Sequence, residues 1–286
     1  CDSHGACIGG GKSEDFGEIV FNSSGTVTAV ANDDISIAIG GGIAKESLIK
    51  MVQGRTVIRT TGEKTIGMGF ISGNGEISLV KGVLDIESSG AEAVGLGTFK
   101  GDIRLSTCAD VSTVCSGDTC ACIGGLADSK GTIEINEGHI STKANAKNAV
   151  GIGGIGSEIN TVVHSGSVTV RAEGGNICGI GDRSEKGSVT IESGKLELNI
   201  LSGNCVTLGA PTEKTVVFGG NITGNTVEDI KAVNTFGEPL TMHKFDSVGE
   251  FIREVRSGGG TYRYVAESGG NNEVNVFLPD NYEFIG

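Results

Sequence analysis

Apolar and polar positions alternate along this chain in short bursts separated by glycine. The segments GTIEIN at 131–136 and GHISTK at 138–143 are followed by INTVVH at 159–164 and GSVTVR at 166–171, then by GSVTIE at 187–192 and GKLELN at 194–199. A period of two with many β-branched residues predicts strands that bury one face. Helical spacing is absent from this region, which excludes helical arrays.

A triplet made of a small residue, then Ile, Leu or Met, then Gly precedes each pair of bursts. It occurs as Cys7-Ile8-Gly9, Ala38-Ile39-Gly40, Gly67-Met68-Gly69, Gly95-Leu96-Gly97, Cys122-Ile123-Gly124, Gly151-Ile152-Gly153, Gly179-Ile180-Gly181 and Thr207-Leu208-Gly209. Successive starts are 31, 29, 28, 27, 29, 28 and 28 residues apart. Three short strands per unit and no helix between them predict an all-β fold, a right-handed single-stranded parallel β-helix of about eight coils of ~28 residues. At about 4.8 Å per layer the column measures roughly 35 Å. Two inward ladders are expected beside the small position: Ile37, Ile66, Val94, Val150, Cys178 and Val206 before it, and Ile8, Ile39, Met68, Leu96, Ile123, Ile152, Ile180 and Leu208 after it. The small position itself is expected to point outward, and the glycine to turn a corner at positive φ.

Two regions follow from the fading of the repeat: 1–225 as solenoid and 226–286 as a small β-rich or α+β module that caps the column or is appended to it. All three tyrosines (Tyr262, Tyr264, Tyr282) lie in the last 25 residues. In this module 245–258 is expected to form a short helix with Val248, Phe251, Ile252 and Val255 on one face, and 260–267 with 272–279 a hairpin turning at 269–272. The first residues enter the repeat part-way through a coil, which predicts an upstream part of the same chain; an acylated Cys1 is the alternative.

Composition narrows the choice further. With 49 Gly but only 3 Pro in 286 residues and no three-residue period, collagen is excluded. Hydrophobic residues at 37% suffice for a core. A net charge of -13 argues against nucleic acid and anionic membranes as partners. No apolar run approaches the roughly 18 residues needed to span a bilayer.

Eight cysteines require an account. Cys108, Cys115, Cys120 and Cys122 crowd into one unit, where two local disulfides, free thiols and, less in keeping with the spacing, zinc are the readings. Cys178 and Cys205 fall near equivalent places on consecutive coils, offset by one residue, so a bridge between layers and two free thiols both remain open. The outward positions of the last strand in each coil form a polar ladder whose basic half is His139, Lys143, Arg171 and Lys195. This ladder reads as a solvated face with alternating charges, or as a groove for an acidic glycan. A lyase would need clustered carboxylates for calcium and a cationic base, and no acidic cluster occupies matched positions on adjacent coils. The chain has no Trp for stacking on sugars, its four histidines (His4, His139, His164, His243) are dispersed, and its GIGG strings open strands, unlike dinucleotide fingerprints.

The strings CIGGG at 7–11, IGGG at 39–42, CIGG at 122–125 and GIGG at 151–154, each followed by Gly-x-Ile-type strands, resemble the Gly-rich β-helix repeats of large surface proteins from gut-dwelling Firmicutes. The resemblance covers 1 to about 225, and VNTFGEPLT at 233–241 is similar to modules that trail such repeats. The architecture also resembles the pectate-lyase-like superfamily. These resemblances imply a non-enzymatic extracellular segment, a stalk or adhesin-like surface, with a host or environmental glycan or protein as partner. The alternative is a carbohydrate-active module binding or cleaving an acidic polysaccharide, and a phage-type tailspike is a third reading. No cofactor is expected, calcium entering only with the lyase alternative.

Overall fold

The computed structural model of the protein describes residues 6–11, 15–182, 186–202, 204–246, 250–257, 260–267 and 273–284. It is a parallel β-solenoid of about eight turns. Strands pair in parallel with the strand one coil on: Ser167 lies beside His139 and Lys195, Ile180 beside Ile152 and Leu208. The expected bursts are all strands, but they are less separate than the sequence suggests. The third strand of one unit runs on into the triplet of the next, giving the 16-residue strands Val83–Thr98, Asp110–Gly125 and His139–Gly154. The bend between the two halves keeps its place in the ladder, where Gly90, Gly117, Ala146 and Gly174 stack, so pairing continues through the corner.

Inside the coils, alternate residues build columns of branched side chains. Ile135, Val163, Ile191 and Val217 stack on one wall, and Ile140, Val168, Leu196 and Ile222 on another, nearly all of them inaccessible to solvent. Period-two burial with identical neighbours above and below is what selects Ile and Val here, since branched side chains pack well on a pleated surface.

The triplet is built differently from the expectation. The small position points inward: Ala38 and Cys122 belong to the central core, and a Cβ on Gly67 would stand 2.5 Å from Ile86 Cγ2 and one on Gly95 3.1 Å from Cys115 Sγ. It is small because the next coil's backbone and the filled bore both crowd it: a Cβ on Gly67 or Gly95 would also stand 2.5 Å from the carbonyl oxygen of Gly95 or Cys122. The Ile or Leu after it is also inward, whereas Ile37, Ile66, Val94, Val150 and Cys178 face away from the bore. They are nevertheless buried, under Phe99 and Leu126 with help from Ile71 and Ile155. Each of these covering residues comes two positions after a corner glycine, where the chain folds back over the outside of the coil. The column thus has a second, exterior apolar layer on one face, and burial alone did not distinguish it from the bore.

Seven of the eight triplet glycines have positive φ, from 102° at Gly181 to 148° at Gly69; Gly209, in the last triplet, does not. Their second constraint comes from stacking: a Cβ on Gly40, Gly69, Gly97, Gly124 or Gly153 would collide with the carbonyl oxygen of the equivalent glycine one coil on. A backbone conformation closed to L side chains and a missing side chain are both required there.

The two ends differ. Strands Ala6–Gly9 and Glu18–Asn32 pair, among the described residues, only with Ile35–Thr61. At the other end parallel stacking runs to Ala232–Val233, after which Pro239–Asp246 pairs antiparallel with Ala232–Val233 and with Glu273–Pro279. Asn275 ties this ribbon to the last coil: its backbone N–H donates to Asn221 Oδ1 and its Nδ2 to the Ile222 carbonyl, each at 3.0 Å, and Phe277 joins the central core.

Two expectations for the C-terminal module are corrected. Residues 250–257 are a strand, Glu250–Ser257, where a helix was expected, and it pairs antiparallel with Gly260–Glu267. An isolated helix of two turns is marginal in water, and a sheet partner ten residues on outweighs a short apolar stripe. Gly260–Glu267 therefore does not pair with Glu273–Pro279, whose partner is Pro239–Asp246. The expected turn at 269–272 and Val248 lie outside the described residues. Among those residues no helix is long and apolar enough to cross a membrane.

Candidate functional site

The outward positions of strands His139–Gly154, Ser167–Gly181 and Lys195–Leu201 form parallel columns running along the solenoid axis. One column reads Asp110, then His139, Ser167, Lys195 and Asn221. Asp110 sits against His139, accepting from its backbone N–H at 2.9 Å and lying 3.2 Å from Nδ1. A parallel column, four positions along each strand, reads Arg59, Glu87, Val114, Lys143, Arg171 and Asn199. The four basic residues singled out from the sequence therefore divide between two columns. His139 and Lys195 stand in one, separated by Ser167, and Lys143 and Arg171 are direct neighbours in the other.

Several charges on the outer surface are matched to the coil above or below. Arg55 meets Asp85 at 2.7 Å, Arg59 meets Glu87 at 3.0 Å, Lys64 meets Glu92 at 2.8 Å and Lys130 meets Glu158 at 3.2 Å. Lys147 meets Asp118 at 2.7 Å and His164 Nδ1 lies 2.8 Å from Glu192. Lys143 and Arg171 are like charges in direct register, and among the described residues neither has an ion-pair partner. They line a cavity of about 310 Å³ together with Asn199, Leu201, Glu173 and Asn225. Glu173 accepts from Asn145 Nδ2 at 3.0 Å, and Asn225 clasps the Ile200 backbone through its N–H and carbonyl.

Asn199 was within reach of the sequence, since it is the residue 28 positions after Arg171 and so its neighbour in the column. Leu201, 63% exposed, carried no such signal, because an apolar residue at an outward position looks the same in sequence as one at a strand end. A second ladder was also missed. Asn204 donates to Asn176 at 2.6 Å and Asn176 to Asn148 at 2.9 Å, three amides linked along the axis.

The cysteines separate by environment, and every described one is a free thiol in this structure. Cys115, Cys120 and Cys122 are buried together in the bore, and Cys108 is exposed and apart from them. The hydrogen bond with Cys122 is the main influence that pushes the Cys115 thiol well above its usual range, followed by burial and by the neighbouring thiols. Burial, then Cys122, pushes the Cys120 thiol up as well. Cys178 and Cys205 do not stack: Cys178 is beside Val206 in the exterior apolar layer, and Cys205 is beside Ile177 and packs against the bore. The one-residue offset puts them on opposite sides of the wall. Among the described residues no group of three or more His, Cys, Asp or Glu is placed to hold a metal ion. Comparison with protein-family models, curated proteins and solved structures finds no match to this chain.

Proposed function

We propose that the chain is a non-enzymatic segment of an extracellular bacterial surface protein, serving as a stiff stalk with an adhesive face. The observation that carries this reading is the direction of the surface interactions. Ion pairs and amide bonds join residues one coil apart, from Arg55 with Asp85 to Asn176 with Asn148, so they link layer to layer along the axis. Exposed pairs are individually worth little, about 0–1 kcal/mol. Repeated on several coils and added to continuous backbone ladders, they resist sliding and bending of one layer against the next, which is what a spacer requires. The Gly-rich triplets that resemble repeats of bacterial surface proteins support the same reading. The test is labelling of intact producing cells with a membrane-impermeant amine reagent. Modification of exposed lysines such as Lys81 and Lys147 before lysis is expected, and protection until lysis overturns the surface assignment.

A further inference from the structure

Like charges placed directly opposite on neighbouring strands weaken a sheet. On this molecule the rule is followed at Arg59 with Glu87, in the very column where Lys143 and Arg171 then break it. The column offers these two no relief, because Val114 precedes Lys143 and Asn199 follows Arg171. The nearest carboxylates on the same strands are already engaged, Glu173 by Asn145 and Glu197 by the Asn199 amide at 2.6 Å. Two cations held about one coil spacing apart, about 4.8 Å, can donate to the same oxyanion from both sides.

The surroundings narrow the ligand. In the next column Ser141 and Thr169 stand beside each other, presenting hydroxyls, and on the far side the exposed Leu201 supplies a small apolar surface. Hydroxyl partners, an aliphatic patch and one anion-sized cationic gap suit a sugar that carries an acid group. We propose that the Lys143–Arg171 cavity binds an acidic glycan, with one anionic group held between the two side chains. The overall charge of -13 repels polyanions at long range, so recognition depends on this local pair. The site stands on the geometry of the sheet face alone and is independent of where the protein is located.

The test is calorimetric titration of the purified protein with heparin as a sulfated glycan, alginate as a carboxylated one, neutral dextran, and inorganic sulfate. At least one acidic glycan is expected to bind and dextran is not. The double variant Lys143→Gln/Arg171→Gln is expected to lose about tenfold or more in affinity, equivalent to about 1.4 kcal/mol. The double variant Lys130→Gln/Lys147→Gln changes net charge equally but removes cations already paired to Glu158 and Asp118, so it is expected to bind like the native protein. Melting curves of both variants report whether they are folded. Binding of neither heparin nor alginate, equal loss in the two double variants, or equal binding of dextran overturns the site. Sulfate binding as tightly as the glycans overturns the glycan assignment. None of these results bears on the surface labelling, so the two proposals fail separately.

Discussion

At the scale of single residues, the glycines carry two separable demands. Gly153 sits at φ 130°, with the backbone of Gly181 where a side chain would go, whereas Gly156, at φ 69°, has open space around it. Gly153→Ala is expected to cost about 3 kcal/mol, from backbone strain and the displaced neighbouring coil. Gly156→Asn is expected to stay within about 0.5 kcal/mol, because Asn tolerates the left-handed region. Thermal melts of the two variants compare them directly, and equal melting temperatures would refute the stacking constraint. The buried thiols add a pH dependence. Cys115 and Cys120 have folded-state values raised above those of the unfolded chain, so their contribution is complete below about pH 8.5 and is lost as pH rises towards the folded values. The native protein is therefore expected to lose more melting temperature between pH 7 and pH 10 than Cys115→Ala/Cys120→Ala does.

At the scale of elements, the strands and their spacing were legible because period-two alternation and a 28-residue recurrence are both written in consecutive letters. The exterior apolar layer was not. Ile66 and Val94 are as buried as Met68 and Leu96, and only the path of the chain after Gly69 and Gly97 decides which pair faces the bore. The basic pair was half legible: Lys143 and Arg171 are outward residues 28 positions apart and so neighbours by the repeat, as Asn199 is to Arg171, but that neither meets a carboxylate and that both line one cavity needed the side chains. The strand Glu250–Ser257 was misread because Val248, Phe251, Ile252 and Val255 recur at helical spacing and not at a period of two, and its strand partner lay beyond the window. The layer gives an expectation of its own. Truncation of its cover by Phe99→Ala is expected to cost about 3 kcal/mol, as for a buried core aromatic. A change below about 0.5 kcal/mol would mean that the layer is ordinary surface.

For the whole molecule, the contrast between the ends matters most. In a parallel strand the N–H and C=O of one residue point to one side and those of the next residue to the other. Along 18–21 and 26–32 every second residue therefore directs both groups away from Ile35–Thr61, the register breaking between them, while the ribbon of Pro239–Asp246 and Glu273–Pro279 closes the opposite end. Hydrogen exchange is expected to show fast and slow amides in alternation along 18–21 and 26–32, and uniformly slow ones along the central strand Ser129–Ile135, which has partners on both sides. Uniform protection of the outer strand would mean that another element covers it.

The equivalence of corners has a consequence for how such a molecule changes size. Gly138, Gly166 and Gly194 share the same backbone conformation, at φ 88°, 92° and 101°, one coil apart. Excising 139–166 would join Gly138 directly to Ser167 and present Val111 with Val168 in place of Ile140, a partner of the same kind. The length of the column is thus a countable quantity, set by how many copies of one coil the chain contains. Gain or loss of one whole coil would lengthen or shorten the column by one layer, about 4.8 Å, without a new fold having to be found.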